Sequence, residues 1–184
     1  MSDESPYTRD EILEAFRRQE VENVEYWSAF DTAAFFRPIG RSWSPAETVR
    51  HLSKSTRPVV KALTMPRFML RVLFRKPRHA SMRFDELRAR YQRLLAEGGK
   101  AGKFSPSPHT EVDFDAWRAS ILQSYASVNA TLWNAIQRWP DPKLDSYQLP
   151  HPLLGKLTVR EMLFFTLYHQ HHHVTVVQRN LAAA

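Results

Sequence analysis

At 184 residues, 43% of them hydrophobic and 24% charged, the chain reads as an ordinary soluble globular protein with room for one domain spanning 1–184. Its 5 glycines argue against a turn-rich β-sandwich or a glycine-loop nucleotide fold, and the absence of cysteine removes disulfides, thiolate zinc sites and cysteine nucleophiles. The net charge of +7 is unevenly spread: between Glu47 and Asp85 there is no acidic residue, yet the interval holds Arg50, Lys54, Arg57, Lys61, Arg67, Arg71, Arg75, Lys76, Arg78 and Arg83. A one-sign segment of this kind attracts something anionic, whether a carboxylate-bearing small molecule, an acidic membrane surface or nucleic acid.

The N-terminus, Met1 to Asp10, is polar and acidic and lacks a signal pattern, and no apolar run approaches a membrane span, so a cytoplasmic protein is expected. Three stretches then announce helices by the Ser/Thr-x-x-Glu capping box: Thr8 to Glu11, Ser44 to Glu47 and Thr158 to Glu161. The first predicts a helix from Thr8 to Asp31 with Leu13, Phe16, Val24 and Trp27 on one stripe. The second, with Pro45 at the first helical position, predicts a helix to about Leu63. Residues 64–83 mix Met65, Phe68, Met69, Val72 and Leu73 with arginines, as in a short helix lying across a bundle. Phe84 to Ala96 is a further helix ended by Gly98-Gly99, and Gly102 to Thr110 reads as an exposed loop. A long helix begins near Asp113, carries Trp117, Ile121, Tyr125, Val128, Leu132 and Ile136, and stops before Pro140. The last runs from Thr158 nearly to the end. Four long amphipathic helices with almost no strand signal predict an all-α four-helix bundle, with an extra basic helical insertion between helices two and three.

Four of the 8 histidines, His169, His171, His172 and His173, fall in the last helix. At about 100° per residue, Val159, Met162, Thr166, His169, His173, Val176 and Asn180 share one stripe. His169 and His173 therefore continue its buried face one turn apart, with His172 at the edge and His171 nearly opposite. Two imidazoles at i and i+4 chelate a metal, but weakly without a third ligand. His51 is the best third candidate, because its face of helix two, shared with Glu47, Thr48 and Ser55, is polar where a bundle helix should be apolar. The bland reading of these histidines is packing. His79, His109 and His151 lie in expected loops and are read as structural. Glu47 is read as a cap in preference to a base, and Glu20, within the first helix's stripe, is a lesser candidate to face the site.

Together these residues resemble the DinB-like superfamily of helix-bundle metalloproteins. The likeness lies in Trp43-Ser44 with His51 half a helix on, in a pre-helix loop from His151 to Thr158, and in His169-x-x-His172-His173. It implies a DinB/YfiT-like bundle with long crossover connections and a divalent ion, zinc or nickel, held by His51, His169 and His173. Some members are similar to thiol transferases that use bacillithiol, mycothiol or glutathione. Two departures are Val176, where a glutamine is common, and the basic insertion at 64–83; both bear on substrate and not on metal.

Three imidazoles leave an open coordination position, from which a metal can acidify water for hydrolysis or a thiol for S-transfer. Arg50 or Arg57 are candidates to hold the carboxylates of a thiol cofactor, the alternative being a solvated face. The rival reading is a non-enzymatic, metal-stabilised binding protein whose segment 64–83 docks to an acidic membrane surface or partner. Nucleic-acid binding is disfavoured, since Phe68 and Phe74 are expected to pack. Leu163, Phe164, Leu167 and Val174 make the last helix apolar nearly all round. It is therefore either central in the bundle or paired across a homodimer, and the homodimer is the expectation.

Overall fold

The computed structural model describes residues 5–99, 102–106 and 113–183. The chain runs α1 (Arg9–Ser28), α2 (Thr32–Phe36), α3 (Pro45–Thr64), α4 (Arg67–Phe74), α5 (Phe84–Ala96), α6 (Phe114–Gln137), β1 (Gln148–His151), β2 (Gly155–Thr158) and α7 (Val159–Ala182). All three capping boxes form, each Ser or Thr side chain accepting from the backbone of the glutamate that in turn binds the cap's own N–H. Asp113 caps α6 by accepting from the Ala116 N–H. The long helices α1, α3, α6 and α7 form the bundle: α3 lies against α6 and α7, and α1 packs on α6 and α7. No helix among the described residues is long and apolar enough to cross a membrane.

Several expectations need correction. The first helix stops at Ser28, and Asp31, expected inside it, caps α2 instead by accepting from the Ala34 N–H at 2.7 Å. Its buried stripe is Ile12, Phe16, Asn23 and Trp27: Phe16 and Trp27 fall as expected, while Ile12 and Asn23 take the places expected of Leu13 and of Val24, which is exposed. The segment 151–158, expected as a loop, is most of an antiparallel hairpin that pairs Leu149 with Leu157 and His151 with Gly155. Four-residue strands, one containing Pro150, carry no alternating pattern for a reader to find. The hairpin closes through Gly155 at φ +78, a conformation glycine adopts without penalty. Thr158 ends β2 and caps α7, so the hairpin aims the last helix. Beneath that start, the buried Arg160 binds Asp141 and Asp145 and donates to the Tyr7 carbonyl, tying α7 to both its own approach and the N-terminus.

From Val159 to Gln170, α7 is buried residue by residue. Its apolarity on every side as far as Gln170 reflects a central place in its own bundle. The core falls into two apolar clusters, one around Phe16, Val59, Leu132 and Phe164, the other around Trp27, Leu52, Tyr125 and Val177. Between them every long helix turns polar in its buried positions: Asn23 on α1, His51, Ser53 and Thr56 on α3, Asn129 on α6, and His169 and Gln170 on α7. Much of this layer is hydrogen-bonded internally, as buried polar groups must be. The Tyr125 hydroxyl donates to Gln170 Oε1 at 2.5 Å and accepts from Asn23 at 3.0 Å, while Gln170 donates to Asn129 at 3.0 Å. The candidate site is the remainder of the same layer.

Candidate metal centre

His51 enters from the second turn of α3, and His169 and His173 from successive turns of α7. Their ligand atoms all lie within 4.8 Å of one another. His169 Nε2 stands 3.1 Å from His51 Nε2 and 3.2 Å from His173 Nε2. Tetrahedral ligands about 2.0–2.1 Å from a zinc-sized ion are separated by roughly 3.3 Å, so the two closest pairs already have the spacing of one shared ion. His51 Nδ1 donates to the Phe104 carbonyl at 2.9 Å, an acceptor with no proton to give. That bond places the proton on Nδ1 and leaves the Nε2 lone pair facing the other two rings, the usual outer-shell device for orienting a metal ligand.

Electrostatics favours the same state. Burial holds His169 and His173 well below the ordinary histidine range, and the neighbouring imidazoles of the cluster push in the same direction. Burial lowers His51 too, only partly offset by its bond to Phe104. Three neutral imidazoles with converging lone pairs fit a divalent ion and hold no charge that needs another partner. The rings are fixed by aromatic neighbours: Phe165 stacks on His169 with centroids 5.0 Å apart, and Trp43 lies parallel to His173 at 6.1 Å.

The cluster forms one wall of a cavity of about 520 Å³. The remaining walls are largely apolar, including Val59, Ala62, Phe74, Leu95, Leu149, Leu153, Met162 and Phe165. Ser55, Tyr91, Ser105, His151 and His172 supply its few polar points, and no carboxylate lines it among the described residues. His151, expected as a structural loop residue, is the last residue of β1 and reaches this cavity. Its Nδ1 accepts the backbone N–H groups of Leu153 and Leu154 at 3.2 and 3.0 Å, so its proton sits on Nε2. Burial lowers its pKa to about 4, keeping it a neutral donor at physiological pH. Tyr91 comes from α5, where burial, with a smaller push from Tyr168, raises its hydroxyl to about 12. Histidine spacing in α7 points to the pair of ligands; nothing local in the sequence points to Tyr91, His151 or the Phe104 carbonyl.

Other candidates fall elsewhere. Glu47 does not line the cavity and is occupied by its cap, accepting from the Ser44 N–H at 2.9 Å. Glu20 does not line it either. Arg50 and Arg57 border a separate depression with Ser53, Lys54, Ser120 and Ser124, and Arg57 donates to Ser124 at 2.7 Å. Val176 faces a third depression beside Trp43 and Thr48. His171 is exposed, and His79 pairs with Glu161 at 3.0 Å. In the segment expected as an exposed loop, Gly102–Phe104 forms a short 3-10 turn with Phe104 half-buried on the cavity; His109 and 107–110 lie outside the described residues.

Comparison with known proteins agrees with this architecture. The structure of YfiT from Bacillus subtilis, described as a probable metal-dependent hydrolase with an unusual four-helix bundle topology, is similar over 98% of this chain and 89% of that one, with a TM-score of 0.54 at 12% identity. At that identity the likeness carries the fold alone. No curated protein matches the chain. The model of the DinB superfamily matches residues 8–177, and the chain belongs to that superfamily.

Proposed function

We propose that the chain is a divalent-metal-dependent enzyme that joins a low-molecular-weight thiol to a small apolar electrophile. The observation that carries this reading is the convergence of three neutral imidazole Nε2 atoms on the wall of a largely apolar cavity. An ion held there, zinc or nickel by the nitrogen donor set, supplies a Lewis acid with an open position that acidifies a thiol or a water. The protein's own groups then divide the remaining work. Apolar walls at Val59, Leu149, Met162 and Phe165 take the electrophile by excluding water. His151 offers its Nε2–H to a carbonyl or leaving group, and it stays neutral while doing so. His172, half-buried on the same wall and with its pKa lowered by burial, is a neutral base able to accept the thiol's proton.

Thiol transfer is favoured because no carboxylate lines the cavity among the described residues. Water needs a base in the attacking step more than a thiol does, since a free thiol, with a pKa of about 8.5, ionises far more readily than water. With Arg50 and Arg57 outside the cavity, its lining among the described residues holds no clamp for a thiol rich in carboxylates. A small, weakly charged thiol fits better. Hydrolysis is the second reading, supported by His172 as base and by the description of YfiT.

The test begins with elemental analysis of untagged protein never exposed to a nickel column, beside His169→Ala. Near-stoichiometric zinc or nickel, lost in the variant, supports the reading; absence of metal, with none taken up on addition, removes it. Metal-loaded protein is then offered a thiol with an aryl halide, and separately a nitrophenyl ester. Thioether formation favours transfer, and ester cleavage without thiol favours hydrolysis.

A further inference from the structure

The helix α4 presents its apolar residues on the wrong side for a bundle. Phe68 is 69% exposed, Val72 76%, Leu73 57% and Met69 38%, a continuous stripe at i, i+1, i+4 and i+5 of an eight-residue helix. Large apolar patches on a soluble surface mark a contact site. The opposite side of α4 is firmly mounted. Leu70 is 1% exposed, Arg67 lies over the Trp139 ring at 5.1 Å and donates to the Arg138 carbonyl at 2.8 Å, and Arg71 lies over Tyr147 at 5.1 Å. The stripe is thus held outward by a rigid scaffold and is not a frayed core segment.

Charge decides what covers it. Arg75, Lys76 and Arg78 follow directly and are exposed, and Lys156 on β2 brings its ammonium to 3.5 Å from the Phe74 carbonyl at the end of α4. No acidic residue occurs between Glu47 and Asp85 to offset them. An apolar stripe edged by cations is the pattern of a helix lying in the interface of an anionic bilayer, with side chains among acyl chains and cations among phosphates. A second copy of this chain fits poorly, because a two-fold contact through α4 would meet another α4, which carries no acidic residue to pair with Arg75, Lys76 and Arg78.

We propose that α4 docks the protein onto an anionic phospholipid surface, with Phe68, Met69, Val72 and Leu73 inserted and Arg75, Lys76, Arg78 and Lys156 at the headgroups. The proposal stands apart from the metal centre and from the reaction assigned to it. Phe74, the last residue of the docking helix, lies on its packed side with Leu70 and lines the apolar cavity, so the helix that docks also walls the cavity from behind.

The experiment is flotation of the purified protein with vesicles of phosphatidylcholine alone and of phosphatidylcholine mixed with phosphatidylglycerol. The wild type is expected to float with the anionic vesicles, to bind the neutral ones weakly, and to be released as salt is raised. Phe68→Ser/Val72→Ser should weaken binding by at least about ten-fold through lost apolar insertion. Arg75→Gln/Lys76→Gln/Arg78→Gln should weaken it by about a hundred-fold, at about five-fold per cation near the surface. All five side chains are exposed, so both variants should keep the wild-type far-UV circular dichroism, which is checked first. Failure to float, equal binding to neutral and anionic vesicles, or unaltered binding by both variants overturns the proposal. So does light scattering that shows a wild-type dimer broken by Phe68→Ser/Val72→Ser, which would assign the stripe to a second copy.

Discussion

Removal of divalent metal should leave this bundle folded and should lower its melting temperature by a definite amount. Both apolar clusters close without the histidines, and the layer between them is already hydrogen-bonded through Tyr125, Gln170, Asn23 and Asn129. Burial keeps the three ligand imidazoles neutral, so chelation strands no buried charge. An ion that binds only the native state at about 100 times its dissociation constant stabilises it by about 2.7 kcal/mol. A domain of this size moves by about 2–4 °C per kcal/mol, so the expected rise on adding zinc to stripped protein is about 5–11 °C. The assay is thermal unfolding followed by far-UV circular dichroism, with chelated and zinc-loaded samples of three proteins. The wild type should show the full shift. His169→Ala, which removes the nitrogen standing between the other two, should show none. His171→Ala, exposed on the far side of α7 and 3.5 Å from Thr175, should keep it. Loss of the helical signal on chelation would refute the reasoning, because the ion would then be part of the fold. An equal loss of the shift in His169→Ala and His171→Ala would refute it differently, by assigning the metal to surface histidines.

Other consequences follow from the same residues. His151 has its pKa lowered by burial to about 4, against about 6.5 in an unfolded chain, so only the unfolded state takes up its proton between those values. Its contribution to stability is complete above about pH 6.5 and falls as pH drops towards 4, by up to about 3 kcal/mol in all. Urea midpoints across that range should therefore fall less steeply for His151→Gln than for the wild type; a pH-independent gap between the two would count against the assigned environment. Arg160→Met leaves Asp141 and Asp145 without their buried guanidinium and should cost about 3 kcal/mol in urea unfolding, whereas a change within about 0.5 kcal/mol would mean that the cluster is ornamental. Tyr125→Phe removes the hydroxyl shared by Asn23 and Gln170 and should destabilise by about 1–3 kcal/mol, read by the same method.

Much of this molecule is legible in its sequence because helices declare themselves locally. The capping boxes at Thr8, Ser44 and Thr158 mark the starts of three of the four long helices to within a residue, and the three-and-four spacing from Ile121 to Ile136 picks out the buried face of α6. The pair His169 and His173 is legible for the same reason, since one turn of α7 brings both to one face. His51 stands out as a polar residue on a face that ought to be apolar. Connections carry no such periodicity. Tyr91, Phe104 and His151 reach the cavity from a helix, a 3-10 turn and a hairpin inserted between the long helices, and only the path of the chain brings them together. The basic segment 64–83 reads as helical from its own residues. Yet which side of it packs depends on Trp139 and Tyr147, far along the chain, which draw Arg67 and Arg71 inward and leave Phe68 and Val72 out.

The polar layer explains why a candidate metal centre and a stable bundle can share the same helices. A histidine cluster placed at random in an apolar core would leave ring nitrogens unpaired and costly. Here each long helix contributes polar residues at the same level, so most of the layer satisfies itself, while the His51, His169 and His173 ring nitrogens converge on one another. Gln170, next to His169, is held on three sides by Tyr125, Asn23 and Asn129, which fixes the rotation of α7 at the point where it presents His169 and His173. Below that level α7 is enclosed by apolar neighbours; above it His171 and Thr175 are exposed. The three histidines therefore sit where the central helix passes from core to surface, deep enough to stay neutral and open to the cavity.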